Sequence, residues 1–227
     1  MKLGGRGYLF LVVAILAGAL LVTDRLLPAT SDYQSQVRVW LTARATGIVA
    51  LGLLSVAVAV GIAISHPAQA RLKQAKRLYP WHETLWVFVL AFVSVHVVSL
   101  VIDEYADVGV LGALVPGMSA YRPIPVAIGS VALYALLLTG LTARFTRLLP
   151  SGAWLKLHRL GTIVLVLGWL HGVLAGTDSP AVAPVYLAIA APVVGVAMSR
   201  YWMHRPRLQR STPARTEESH AQPQPAP

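Results

Sequence analysis

An all-α membrane protein, a bundle of six transmembrane helices with both termini cytoplasmic, is the architecture that three features of this sequence impose. The first is composition. Hydrophobic residues make up 56% of the 227 positions and charged residues only 12%, against about 25% charged in an average soluble domain. The mean hydropathy of +0.64 places the chain in the membrane class before any motif is read. The second feature is a set of long charge-free stretches, and the third is the lopsided distribution of the basic residues between them. Cysteine is absent, which excludes disulfides, iron–sulfur clusters, thiolate-ligated metals and covalently attached c-type haem.

Six stretches of 17 to 21 residues contain no Asp, Glu, Lys or Arg, and a helix needs about 20 residues to cross the hydrocarbon. The first, Gly7–Thr23, follows Lys2 and Arg6 and so resembles a signal peptide. No clean small-x-small cleavage site precedes Asp24, and the helix is expected to be retained. The second is Ala45–Ser65 and the third Thr84–Ile102. A long exterior segment over 103–121 follows, with a short interfacial helix expected inside it. The fourth, fifth and sixth are Pro123–Ala143, Leu160–Thr177 and Ser179–Ser199. Their Leu, Val, Ala and Ile run all round rather than alternating with polar residues, which disfavours a β-barrel. The chain is thus divided into an N-terminal helix and outer loop (1–38), a core of four helices (39–178), a sixth helix (179–203) and a Pro-, Gln- and Arg-rich tail (204–227) expected to be disordered.

The net charge of +10 invites a nucleic-acid partner, but the placement of the charges explains it without one. Of the 19 basic residues, fifteen lie before the first stretch, between the second and third, between the fourth and fifth, or after the sixth. The other side holds Arg25, Arg38, Arg44 and Arg122 together with most of the acids. The positive-inside rule then puts both ends in the cytoplasm.

An ionisable or ligating side chain within a bilayer is a functional signal by default. The third stretch carries His82 near its inner end and His96 in its outer half; the fifth carries His158 and His171 in the same order. Both run from inside to outside, so His82 lies at the depth of His158 and His96 at the depth of His171. The spacings of 14 and 13 residues correspond to about 21 and 20 Å of helix. Two facing pairs at two depths suit two flat iron-centred rings, since neutral imidazole is an axial ligand of haem iron. One detail resists: 13 residues leave His158 and His171 about 140° apart on an ideal helix, so the fifth helix must tilt or bend, with Gly161, Gly168 and Gly172 as places to do so. His66 and His204, at helix ends, read as interfacial, and His220 lies in the tail.

With these residues in view the sequence resembles the ferric-reductase-like transmembrane family. The resemblance covers roughly 39–178 and rests on the two spaced histidine pairs. WLTARATGIVALGLL, WHETLWVFVLAFVSVHVVSLVID, SAYRPIPVAIG and LHRLGTIVLVLGWLHGVLAGTDS support it. It implies a b-type dihaem core, two haems expected and at least one, with His82 opposite His158 and His96 opposite His171. It further implies a multi-pass protein of the bacterial inner (plasma) membrane that carries electrons outward from a separate flavoprotein reductase or from quinol. The acceptor would be exterior: ferric iron, oxygen or a partner protein. Two departures stand out. Only about 25 residues follow the sixth stretch and no Gly-rich phosphate loop is present, so no flavin or NAD(P)H domain is expected in this chain. Glu83 follows the first histidine where relatives often carry a basic residue.

Arg44 lies inside the outer end of the second helix and is the expected partner of an outer haem propionate, with Arg122 a second candidate. Lys156 and Arg159 are equally well explained by the positive-inside bias. Phe88, Phe92 and Trp169 are read as packing, and the outer acids as the counterpart of a basic interior face. The rival reading is a histidine-lined transporter or metal permease without haem, which would call for intramembrane carboxylates or broken helices; Glu83 is the only acid near a helix core. A cofactor-free structural subunit comes third.

Overall fold

A computed structural model describes residues 4–26, 28, 30–66, 75–150, 152–176 and 179–210. Among them every regular element is helical: α1 (Gly5–Leu26), α2 (Asp32–Ile64), α3 (Ala75–Ile102), α4 (Gly109–Leu114), α5 (Pro123–Arg144), a short 3-10 turn (Thr146–Leu148), α6 (Ala153–His158), α7 (Gly161–Ala175) and α8 (Ser179–Arg210). Six helices are long and apolar enough to cross a membrane: α1, α2, α3, α5, α6 continued by α7, and α8. Lys2, Arg71, Lys73, Asp178 and Arg215, which entered the charge argument, lie outside the described residues.

The helix ends differ from the charge-free stretches for local reasons. Helix α2 begins at Asp32 rather than Ala45, because Ser31 caps it by accepting from the Gln34 N–H and Asp32 complements the positive end of the helix dipole. Arg38 is carried on this extension and pairs with Asp24 at the end of α1. Helix α5 starts with Pro123 at its first position, after Arg122 in the left-handed region (φ 43°). The sixth helix continues to Arg210 instead of ending at 203. The sequence past 203 is mostly Arg, Leu and Gln, good helix formers that carry the helix on past Pro206. The short helix expected in the outer loop is α4.

Helix α2 packs along α3, α5 along α7, and α8 closes against α2, while α1 lies outside α2 and α3. No residue of the apolar window of α1 is buried inside the protein. Its clearest tie is the Tyr8 hydroxyl, 2.9 Å from that of Ser94 on α3. Between membrane helices small residues permit close approach where the hydrophobic effect gives no drive. Gly172 accordingly faces the Tyr186 ring, and the Ser55 hydroxyl on α2 donates to the Ile189 carbonyl on α8. The buried Thr46 hydroxyl instead bonds its own helix, at the Thr42 carbonyl 2.7 Å away. His66 is buried within the protein just past the end of α2, with Nε2 3.4 Å from the Ser199 hydroxyl of α8.

The segment between α3 and α5 folds onto the bundle. Ala106, Val108 and Ala113 pack against Val126 of α5, and the Ser130 hydroxyl donates to the Ala113 carbonyl at 2.9 Å. Asp103, 3% exposed, accepts from the Ala106 N–H at 2.8 Å, while its Oδ1 has no hydrogen-bond partner among the described residues. Burial pushes this carboxyl above the usual carboxylate range, outweighing the backbone N–H groups that favour the charged form. A raised folded-state pKa means the group favours the fold below the ordinary value of about 4 and loses that contribution as pH rises through the raised value. Asp103→Asn, neutral throughout, is expected to flatten the pH dependence of thermal unfolding on the acid side in detergent. An unchanged slope would assign that dependence to another group.

Candidate functional site

Both histidine pairs expected from depth come together. His82 of α3 and His158, the last residue of α6, have ring centroids 5.7 Å apart and planes at 87°. His96 of α3 and His171 of α7 have centroids 6.2 Å apart and planes at 76°. Part of the 13-residue mismatch is taken up at Arg159–Leu160, where the helix is interrupted between α6 and α7. There the Leu160 N–H bonds the Leu157 carbonyl at 3.0 Å and the Thr162 N–H bonds the Arg159 carbonyl at 3.3 Å, both i to i−3. A 3-10 turn advances about 120° per residue against about 100° in an α-helix, so overwinding here brings His158 and His171 part of the way onto one face. The break falls beside Gly161, one of the three glycines expected to permit it.

The rings are oriented by the backbone. The Nδ1 of His82 donates to the Ala57 carbonyl at 2.9 Å, that of His96 to the Ala43 carbonyl at 2.7 Å, and that of His171 to the Pro125 carbonyl at 2.8 Å. A carbonyl only accepts, so Nδ1 carries the proton and Nε2 keeps its lone pair. The Nδ1 of His158 is buried and has no hydrogen-bond partner among the described residues; the Trp154 ring lies 6.1 Å away. A cavity surrounds the His96–His171 pair between α2, α3, α5 and α7, bounded by Arg44, Gly47, His96, Gly129, His171 and Gly172 and reaching Trp40 and Tyr121. Among the described residues no cluster of three or more His, Cys, Asp or Glu exists, so the histidines stand strictly two by two.

Arg44 lines this cavity with its guanidinium against the backbone of Gly176, so close that a Cβ there would overlap it. Arg122 is employed otherwise. Its Nη1 donates to the Leu174 carbonyl at 2.8 Å and to that of Gly176 at 3.4 Å, and the Tyr121 hydroxyl donates to the Ala175 carbonyl at 3.2 Å. Together they satisfy the free carbonyls at the C-terminus of α7, where a cation also suits the dipole. Lys156 and Arg159 are exposed. Trp169 packs edge-on against Tyr186 and donates to its carbonyl at 3.3 Å. Three glycines that face histidine rings, Gly47, Gly61 and Gly129, were invisible as site residues in the sequence. A signal existed, since Gly47 and Gly61 repeat the 14-residue spacing of His82 and His96.

Six membrane-length helices arranged around two stacked histidine pairs define a multi-pass helical membrane protein. Residues 46–169, more than half of the chain, match the family described as ferric reductase like transmembrane component, and the chain belongs to that family. It is a ferric-reductase-like transmembrane electron-transfer module set in a lipid bilayer. The matched range holds His82, His96 and His158; Arg44 stands just before it and His171 just after it. Comparison with curated proteins and with solved structures yields no match.

Proposed function

We propose that this chain is a b-type dihaem cytochrome whose His82–His158 and His96–His171 pairs each hold one haem iron. The observation that carries the reading is the separation of the rings. Two axial imidazoles at a metal–nitrogen distance of about 2 Å put their centroids about 6 Å apart, which 5.7 and 6.2 Å fit. The donor set fits as well. Neutral imidazoles with Nε2 free suit iron, and two ligands per site suffice where a macrocycle supplies the rest. Haem held by such a pair would supply single-electron exchange, with both ligands coming from the protein.

The protein's own part is to bind, orient and shield. The carbonyls of Ala57, Ala43 and Pro125 fix three ring orientations. Arg44, beside the outer pair, is the partner proposed for an anionic propionate. The excess of basic residues on one side supports cytoplasmic termini, with a flavoprotein or quinol donating at the inner pair and an exterior acceptor drawing from the outer pair. Seating in a bacterial plasma membrane belongs to the same reading.

The purified full chain is expected to give b-type bands in a reduced-minus-oxidised spectrum and about two haems per chain by pyridine haemochrome assay. A colourless protein from cells well supplied with haem would overturn the reading and favour a histidine-lined permease.

A further inference from the structure

Each of three imidazoles bonds the helix carbonyl four residues before a glycine, and each ring lies in the space that glycine leaves. His96 bonds Ala43, and a Cβ on Gly47 would stand 2.9 Å from its Nδ1. His82 bonds Ala57, and a Cβ on Gly61 would stand 3.1 Å from its Cε1. His171 bonds Pro125, and a Cβ on Gly129 would stand 2.6 Å from its Nδ1. In an α-helix the carbonyl of residue i−4 already accepts from the N–H of residue i, and the side chain of residue i leans back over that same turn. A side chain there crowds the approach to the second lone pair of that carbonyl, whereas glycine leaves it open to a neighbouring ring. Within a bilayer no water competes for an uncovered carbonyl.

We infer that Gly47, Gly61 and Gly129 are positioning residues: each exposes a helix carbonyl as a fixed acceptor for one histidine, and thereby holds that ring with Nε2 toward its partner. The register supports this. Gly47 and Gly61 are 14 residues apart on α2, His82 and His96 are 14 apart on α3, and the inner glycine meets the inner ring while the outer glycine meets the outer one. The device is not general to buried histidines here, because the Nδ1 of His158 is buried with no such acceptor among the described residues. An Nδ1–H bond to a carbonyl makes imidazole a stronger donor to a metal, so its loss weakens the ligand and raises the reduction potential of the iron.

The first readout rests on the dihaem proposal, and the second does not. Gly47→Ala, Gly61→Ala and Gly129→Ala are made in the full chain, with Gly52→Ala as control, since a Cβ on Gly52 would meet only Ile189 at 3.9 Å. Redox titration followed by EPR should show Gly47→Ala and Gly129→Ala shifting one and the same haem to higher potential. Gly61→Ala should shift the other haem alone, and Gly52→Ala neither. In the haem-free protein, nitrogen-15 spectra of labelled histidine should lose one Nδ1–H signal of the bonded type in each of the three variants and none in the control. The inference is overturned if the three variants leave both potentials and the histidine signals unchanged. It is equally overturned if any one of them perturbs both haems together, which marks a general packing role. Absence of haem from the unmutated chain defeats the dihaem reading alone, and the histidine spectra then decide this one.

Discussion

His96→Ala and His171→Ala are each expected to remove the same haem, halving the haem content from about two per chain to about one. Both side chains sit within apolar helix, and among the described residues neither pair has a third ligand nearby to take over. The spectra of the two variants should superimpose, because each leaves the His82–His158 pair untouched. On the proposed dihaem reading, electron transfer across the membrane should then fall to background, since one of the two haems is missing in both. His82→Ala and His158→Ala should give the complementary spectrum. The ring planes add a second signature: near-perpendicular imidazoles at 87° and 76° should give strongly axial low-spin EPR signals rather than the rhombic ones of parallel rings. Full haem content in either outer variant would show that the pairing is wrong.

Gly140→Ala is expected to destabilise the bundle by about 1–3 kcal/mol, as overpacking does in well-filled interiors. The Trp86 indole of α3 lies directly against Gly140 of α5, and a Cβ there would overlap its Cζ2 and Cη2 atoms. Both helices carry parts of the site: His82 and His96 are on α3, and the Pro125 carbonyl that holds His171 is on α5. The variant should therefore also loosen haem binding. Phenylalanine lacks the colliding part of the indole, so Trp86→Phe combined with Gly140→Ala should recover most of the loss. Unfolding in mixed detergent micelles measures both, and purely additive effects in the double variant would exclude the contact as the cause.

The fold class and most of the site were legible in the sequence. Six membrane-length apolar stretches need no tertiary information, because in lipid a helix satisfies its own backbone groups and its composition alone reports its solvent. The histidines were legible for the same reason: His96 and His171 stand out against apolar neighbours, and two equal depths follow from chain direction and a rise of about 1.5 Å per residue. Arg44 was visible as a charge out of place. Helix ends were less so, since charge marks where lipid ends and not where the helix does; α2 runs on to Asp32 through Arg38 and Arg44 because Ser31 caps it there.

Other features were decided only in three dimensions. The overwound step at Arg159–Leu160, which takes up part of the 13-residue mismatch, lies where α6 and α7, both packed against α5, meet. Arg122, a propionate candidate by position, is committed to the carbonyls ending α7, whose nearness depends on a contact 52 residues away along the chain. The glycines at 47, 61 and 129 gained meaning only when the rings of His96, His82 and His171 were seen against them. Hydropathy and spacing are properties of one strand of sequence and fix depth and crossing. The rotation of each helix about its own axis is set by contacts between distant segments, and that rotation determines which side chains meet.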